Sequence, residues 1–357
     1  MAGEKQRASR TPHFTRDGRY VTLQDVARRA GVSPKTVSRV VNQQGEIRET
    51  TRQRIQATIS ELGYRPNVLA RSLIHRRTNT LAAVAWGIDY FGPSRTVIGI
   101  EQQAEALGYS LFLSLVREPQ HHDHQHILDT LLSRRVDGII WAVPEVGQNR
   151  NWLTPHNLQQ LPPVVFLSMA PHPGVMVVSV DNRGGAKQAT QHLIGQGRSR
   201  IGILTGPLAW WEARERYEGW KIALQQAGLD AADSLSEECH WSASTGERAM
   251  QELLKRQPGL DGVFAASDQI GLGALGALSA AGRRVPADVA VVGFDDMPES
   301  QYFRPPLTTV HQKLVEVGRS AVQQLHQVIG IRGEHAQRGD GGVTVISPEL
   351  VVRASSV

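Results

Sequence analysis

Cysteine is close to absent from this chain of 357 residues. Cys239 stands alone, so no intrachain disulfide can form, and such usage fits a reducing cytoplasm. No apolar run approaches the length of a membrane span, and no apolar stretch follows the basic N-terminus as a secretory signal requires. A Gly-x-Ser-x-Gly elbow, a Walker loop and an HExxH helix are all missing, so nothing in the residues argues for catalysis. The C-terminal segment Ser347–Val357 reads as a strand-like tail without leucine heptads.

Two patterns imitate chemistry. Gly271, Gly273 and Gly276 fit GxGxxG, but Ser267–Ile270 separates them from the preceding apolar run, so the glycines fall inside a helix and not in the strand-to-helix turn that a dinucleotide needs. The run His121–His126 has alternate histidines but no distant Cys or His pair to complete a tetrahedral set, and it reads as an exposed helix entry. No metal and no cofactor are expected.

What is present begins with Val21–Asn42. Thr22 with Asp25 three residues on is a capping-box variant, Gly31 supplies a turn, and Ser33 caps a second helix with Pro34 in its first turn. Leu23, Val26, Ala27, Val37, Val40 and Val41 recur at helical spacing and can face one another. Pro34, Lys35, Ser38, Arg39 and Asn42 are left pointing outward. The pair is either a solvated hairpin or a helix-turn-helix whose second helix enters the major groove, where Lys35 and Arg39, beside Pro34, would read base edges. Thr22, Ser33, Thr36, Ser38 and Asn42 are then the phosphate contacts. A third helix over Glu49–Leu62 carries Ile55, Ile59 and Leu62 on one face and ends at Gly63.

Charge divides the chain. Residues 1–77 hold sixteen Lys and Arg against six Asp and Glu, a net of +10, while the whole chain is +5, which leaves −5 for residues 78–357. A basic head on an acidic body is the footprint of a nucleic-acid binder that keeps its core off the phosphates. Residues 1–20, rich in Arg, Ser and Thr without apolar period, read as a disordered basic arm.

After Tyr64-Arg65-Pro66 comes Asn67-Val-Leu-Ala-Arg-Ser-Leu73, in which Asn67, Ala70 and Leu73 share a helical face. With Thr22-Leu-Gln-Asp-Val-Ala27, Val32-Ser-Pro-Lys-Thr-Val-Ser-Arg-Val-Val-Asn42 and Pro66-Asn-Val-Leu-Ala-Arg-Ser-Leu73 in this order, the chain resembles the LacI/GalR family of bacterial transcription regulators. The resemblance implies a helix-turn-helix domain over 21–65 and a hinge helix and linker over 66–77. In the hinge, Leu73 acts as a minor-groove wedge and Ala70 permits close approach. It also implies a homodimer on a near-palindromic double-stranded operator.

The remaining 280 residues alternate apolar runs such as Leu81–Trp86, Ser110–Val116, Gly138–Trp141, Val164–Leu167, Ile201–Leu204, Gly262–Ala265 and Val289–Gly293 with helical stretches such as Thr96–Leu107 and Gly184–Ile194. That alternation predicts parallel α/β sheets, with ligands outside the carboxyl ends of the strands. The resemblance continues through Gly206-Pro-Leu, Ala213–Trp220, Trp241–Gly246, Ser267-Asp-Gln, Val292–Asp296 and Pro305–Gln312, closest to the lactose-repressor branch. It implies a core over 78–357 like periplasmic sugar-binding proteins, with an N-lobe of 78–180 and 311–339 and a C-lobe of 181–310 and 340–357.

A cleft between such lobes would use Asp295 as acceptor for vicinal hydroxyls, Arg216 as a planar fork and Trp241 as a flat face for a pyranose. Ser267 and Gln312 add polar contacts. These five match effector positions in sugar-responsive members, so a mono- or disaccharide or glycoside is the expected effector, with a purine as the alternative. Ser267 stands where the family commonly has Asn, Ser168 where the lactose type has Asp, and Val180 where it has Phe, so lactose itself is not implied. Trp210 and Trp211 offer a second stacking surface, and Ser94 either caps a helix or touches ligand. A transport-type solute-binding protein shares such a core but has no head.

Overall fold

The computed structural model describes residues 19–42, 44–65, 77–120, 124–331 and 342–357. The hinge residues Asn67, Ala70 and Leu73, and all but the last two residues of the basic arm, lie outside them. The chain divides into two compact units, Met1–Thr78 and Asn79–Val357.

In the first unit, α1 (Leu23–Ala30), α2 (Pro34–Val41) and α3 (Glu49–Leu62) form a three-helix core. The capping box is complete. The Thr22 hydroxyl accepts from the Asp25 N–H and donates to the Asp25 carboxylate, which also takes the Thr22 N–H. Arg19 adds a further donor, and together these bonds hold the Asp25 carboxyl far below the usual range. The chain turns through Gly31 at φ +64°, a conformation that a Cβ would strain. Ser33 caps α2 with Pro34 in its first turn. Val26, Ala27, Ala30, Val37, Val40, Ile55 and Tyr64 are buried together, with Leu23, Val41, Ile59 and Leu62 at their edge.

The second unit contains two six-stranded sheets. The first has the order β11-β5-β4-β3-β1-β2, with β1 (Thr80–Trp86), β2 (Ser110–Val116), β3 (Gly138–Ala142), β4 (Val164–Leu167), β5 (Met176–Val180) and β11 (Val343–Ile346), all parallel. The second has the order β12-β10-β9-β8-β6-β7, with β6 (Ile201–Thr205), β7 (Ser236–Glu238), β8 (Gly262–Ala265), β9 (Ala290–Asp295), β10 (Thr308–His311) and β12 (Glu349–Val351). Only β12 in this sheet runs antiparallel.

Strands buried on both faces explain the near-continuous apolar runs. Ala82 and Val84 face Leu128, Leu131, Trp141 and Phe166, while Leu81 and Ala83 face Ile100 of α4 (Phe91–Ala106) and Val322 and Leu325 of α11 (Leu314–Ile331). The α5 helix (His124–Ser133) and α6 (Pro155–Gln159) complete the first lobe. In the second, α7 (Asn182–Gly195), α8 (Trp211–Gln226), α9 (Ala243–Arg256) and α10 (Asp268–Ala280) enclose a core that holds Trp220, Phe264 and Phe294. Gly271, Gly273 and Gly276 lie inside α10, away from any strand-to-helix turn.

Three readings of the sequence change. Val343–Ile346, assigned above to the C-lobe, is β11 of the first sheet, paired with β5, so the final crossing between lobes follows Ile346. Met176–Val180 is a strand that the apolar-run reading passed over. The helix expected from Thr96 begins at Phe91, so Ser94 is an interior residue whose hydroxyl donates back to the Phe91 carbonyl (2.9 Å) and not a cap. No described helix is long and apolar enough to cross a membrane.

Ile55 is fully buried within the head's own apolar cluster, so Ile55→Ala should cost about 2–5 kcal/mol in the head. Calorimetric unfolding of the whole chain should show the head transition moved and the core transition unchanged. An equal shift in both would contradict two independent units.

Candidate functional site

On the head, α2 presents the exposed residues Pro34, Lys35 and Arg39, with Thr36, Ser38 and Asn42 half-exposed beside them. Several other cations of the head are paired with carboxylates. Arg28 pairs with Asp25 (3.6 Å), Arg29 with Glu61 (2.6 Å) and Arg52 with Glu49 (3.7 Å). Lys35 and Arg39 have no such carboxylate among the described residues, so their charge faces outward and is available to a polyanion. The small hydroxyls hold one another. Ser33 accepts from the Thr36 N–H (3.2 Å) and bonds the Thr36 hydroxyl (2.9 Å), and Asn42 donates to Ser38 (3.3 Å).

In the core, the carboxyl ends of both parallel sheets open into one cleft of about 990 Å³, including its mouth, at the position expected of an α/β ligand site. Arg216 of α8 lies at its floor, with almost no solvent exposure. Its Nε donates to Asn182 (2.8 Å), one Nη to the Ala266 carbonyl (2.5 Å) and the other to Gln312 (3.3 Å), while Asp295 lies 4.0 Å away. The guanidinium also sits 3.9 Å above the Phe294 ring and 5.6 Å from that of Trp241. Gln312 in turn donates to Asp295.

Asp295 ends β9 at φ +127°, a backbone region that side chains rarely adopt, and this turns its carboxylate into the cleft. Burial pushes its pKa up to about 7, against the pull of Arg216. Trp241 lies flat on Gly206, where a Cβ would stand 2.2 Å from the indole, so glycine is required there for the ring to reach the cleft. Ser267 lines the cleft and uses its oxygen to cap α10, accepting from the Ile270 N–H (3.2 Å), which leaves its hydroxyl hydrogen to donate. Ser168 lines it from the other lobe at φ +53°.

Six of the seven residues singled out for an effector, Arg216, Trp241, Ser267, Asp295, Gln312 and Ser168, are therefore brought together, and Ser94 is not among those lining the cleft. Sequence reasoning missed Asn182, Glu212, Trp86 and Tyr90. Trp86 ends β1, a run the sequence already marked, and Asn182 lies two residues beyond β5, so the strand-end rule reaches the first directly and the second once β5 is recognised. Glu212 sits in the first turn of α8, where burial raises its carboxyl against the pull of its own backbone N–H, Arg216 and the Ser168 hydroxyl. Among those residues no cluster of three or more His, Cys, Asp or Glu is arranged to hold a metal, and His124 stacks on Trp152 (5.2 Å).

Residues 22–67 match bacterial regulatory proteins of the lacI family, and residues 190–356 match the periplasmic binding protein-like domain. Over 349 residues, 94% of this chain and 98% of the relative, 37% of positions are identical to the HTH-type transcriptional regulator CelR of Thermobifida fusca. The chain belongs to the LacI family. It is a DNA-binding transcriptional regulator, not an enzyme. The ribose operon repressor of Escherichia coli K12 is 36% identical over 307 residues, 85% of this chain and 92% of that one. A lac repressor dimer bound to operator and the anti-inducer ONPF superposes with a TM-score of 0.84 at 30% identity, covering 94% of this chain and 99% of that chain. A CelR–cellobiose complex gives 0.69 at 34% identity with the same coverage.

Because Arg216 is buried, donates to three acceptors and pairs with Asp295, Arg216→Met should destabilise the core by about 3–5 kcal/mol, chiefly by leaving the Asn182, Gln312 and Ala266 oxygens without their donor and Asp295 without its counter-charge. Urea unfolding of the core measures this, and a change within about 0.5 kcal/mol would show that the cluster contributes little.

Proposed function

We propose that this regulator is a homodimer whose affinity for a near-palindromic operator is set by a carbohydrate held in the cleft. The observation that carries the reading is the convergence of Asp295, Arg216, Gln312 and Trp241 on one floor. A carboxylate and an amide accept from vicinal hydroxyls, a guanidinium donates to ring or hydroxyl oxygens, and an indole covers the C–H face of a pyranose. Relatives whose names or bound ligand carry ribose and cellobiose support a sugar.

On DNA, Lys35 and Arg39 read base edges from the major groove with Pro34 beside them, and Thr22, Ser33, Thr36, Ser38 and Asn42 hold phosphates by exchanging their internal bonds for phosphate oxygens. The hinge residues Asn67, Ala70 and Leu73 complete the contact in the minor groove. Binding of sugar closes the lobes, alters the pairing of the hinges, and releases the operator, in keeping with a repressor of the reducing cytoplasm. The effector works only through its differential affinity for the two states.

Selection of binding sites from random duplex DNA, repeated with a panel of glycosides and nucleobases present, tests the whole reading. A nearly palindromic consensus released by a sugar is expected; release by purines alone would overturn the carbohydrate assignment. On the selected site, Arg39→Ala should cost about 1–3 kcal/mol and relax base preference at one position per half-site. A uniform loss across all sequences would make Arg39 a phosphate contact.

Hydroxyls bound to Asp295 favour its ionised form, so its pKa, about 7 in the free cleft with Arg216 and Asp268 as charged neighbours, falls on binding and protons are released. Sugar affinity should therefore rise between about pH 6 and pH 8, and Asp295→Asn should remove the slope. Calorimetry in buffers of different ionisation enthalpy reads the protons, and a flat profile in the wild type would show that sugar does not engage this carboxylate.

A further inference from the structure

Besides their chain crossings, the two lobes are joined by a short antiparallel bridge. Val146, on the loop between β3 and α6 of the first lobe, pairs with Trp210 of the second. The Gly147 N–H donates to the Ala209 carbonyl (3.0 Å), and the Trp211 N–H donates to the Glu145 carbonyl (3.0 Å). Arg214 of α8 completes the contact, with one Nη on the Glu145 carboxylate (3.2 Å) and the other on the Ala209 carbonyl of its own lobe (2.8 Å). The second carboxylate oxygen of Glu145 accepts the Ala170 N–H (2.9 Å). Glu145 is thus anchored within its own lobe by one oxygen and shared across the cleft by the other.

A second guanidinium competes for that carboxylate. Arg150 lies on the same loop as Glu145, with only 9% of its surface exposed. One of its nitrogens donates to the Val143 carbonyl, while Nε and Nη1 have no hydrogen-bond partner among the described residues. Burial pushes its pKa down to about 10, and Glu145 and Glu212 are the carboxylates near enough to pull it back up. A buried charge without a close partner is costly, so a carboxylate free to approach Arg150 is drawn to it. Glu212 belongs to α8 and moves with the second lobe. Glu145 stays with Arg150.

We propose that Glu145 is a two-position switch, which pairs with Arg214 across the cleft when the lobes are together and with Arg150 of its own loop when they part. Parting takes Arg214 and Glu212 away in one movement, and leaves Glu145 and Arg150 as facing opposite charges on the first lobe. The Ala170 N–H serves as the pivot. Arg214 therefore stabilises the closed form and Arg150 the parted one, and the balance between them sets the fraction of molecules whose lobes are closed. That fraction scales the apparent affinity for any ligand that needs the closed cleft. The switch rests on the closing of the lobes proposed above and goes beyond it in naming the residues that set the closing equilibrium, whatever the ligand.

Hydrogen exchange at the Gly147 and Trp211 amides of the full chain, without ligand, reads the parting directly, because both donate across the lobes. Exchange at the amides of β8, inside the second sheet, corrects for any change in global stability. Arg214→Met should speed exchange at both bridge amides about twofold to fivefold. Arg150→Met should slow it about threefold or more, and that slowing should vanish where Glu145→Gln is already present. Arg150→Lys, which keeps the charge, should exchange close to the wild type. Exchange that Arg150→Met leaves unchanged or speeds, or slows equally beside Glu145→Gln, would overturn the switch, as would bridge amides indifferent to Arg214→Met. Either result leaves the carbohydrate assignment standing, since no sugar enters the measurement.

Discussion

A guanidinium almost sealed from water organises the receptor. Arg216 has to be taken out of solvent at substantial cost, and that cost is offset only because Asp295, Gln312, Asn182 and the Ala266 carbonyl all converge on it. Two of those partners stand on the chain connections between lobes, Asn182 just after β5 and Gln312 just after β10. The charge network and the crossings are therefore the same residues. Any ligand that draws hydrogen bonds from Arg216 or Asp295 pulls on the segments that set the relative position of the lobes, which is the physical requirement for a cleft to act as a switch.

The head follows a different economy. Its fold rests on a small apolar cluster and on local caps, and Arg19, Arg28, Arg29 and Arg52 are tied to carboxylates of the same unit. Lys35 and Arg39, on the second helix, keep their charge for a partner. A net charge of +10 on residues 1–77 against −5 on the rest directs the chain to a polyanion through one end. The receptor ties Arg216 and Asp295 together inside its cleft, whereas Lys35 and Arg39 of the head face outward.

Much of this was legible in advance, for reasons that differ by region. Thr22 with Asp25, Gly31, Ser33 with Pro34, and Gly63 are local signals, each acting within one turn of chain, and the helices they bound were found where the caps place them. Strands buried on both faces, such as Val164–Leu167, announce themselves as apolar runs. β11 does not, because it is an edge strand with Val343 and Val345 exposed, and its partner β5 is remote in sequence, so only the closed topology assigns it to the first lobe. Ser94 misled because a serine after Pro93 imitates a cap, whereas the helix starts at Phe91 from the extended Tyr90. Within the cleft, residues that ligate through chemistry were recognisable by type and place. Glu212 was not, since its helix also carries Glu215 and Glu218 and only the fold buries this one beside Arg216.

On the proposed reading, a ligand at the Arg216–Asp295 floor and an operator at α2 are coupled through the chain. Coupling of this kind is reciprocal, so the operator must weaken sugar binding by the same factor by which sugar weakens operator binding. The direct measurement is calorimetric titration of sugar into the free regulator and into its complex with selected operator duplex, set beside operator titrations with and without sugar. Two equal factors, each of about fivefold or more, are expected. Sugar affinity that is identical with and without operator would contradict it.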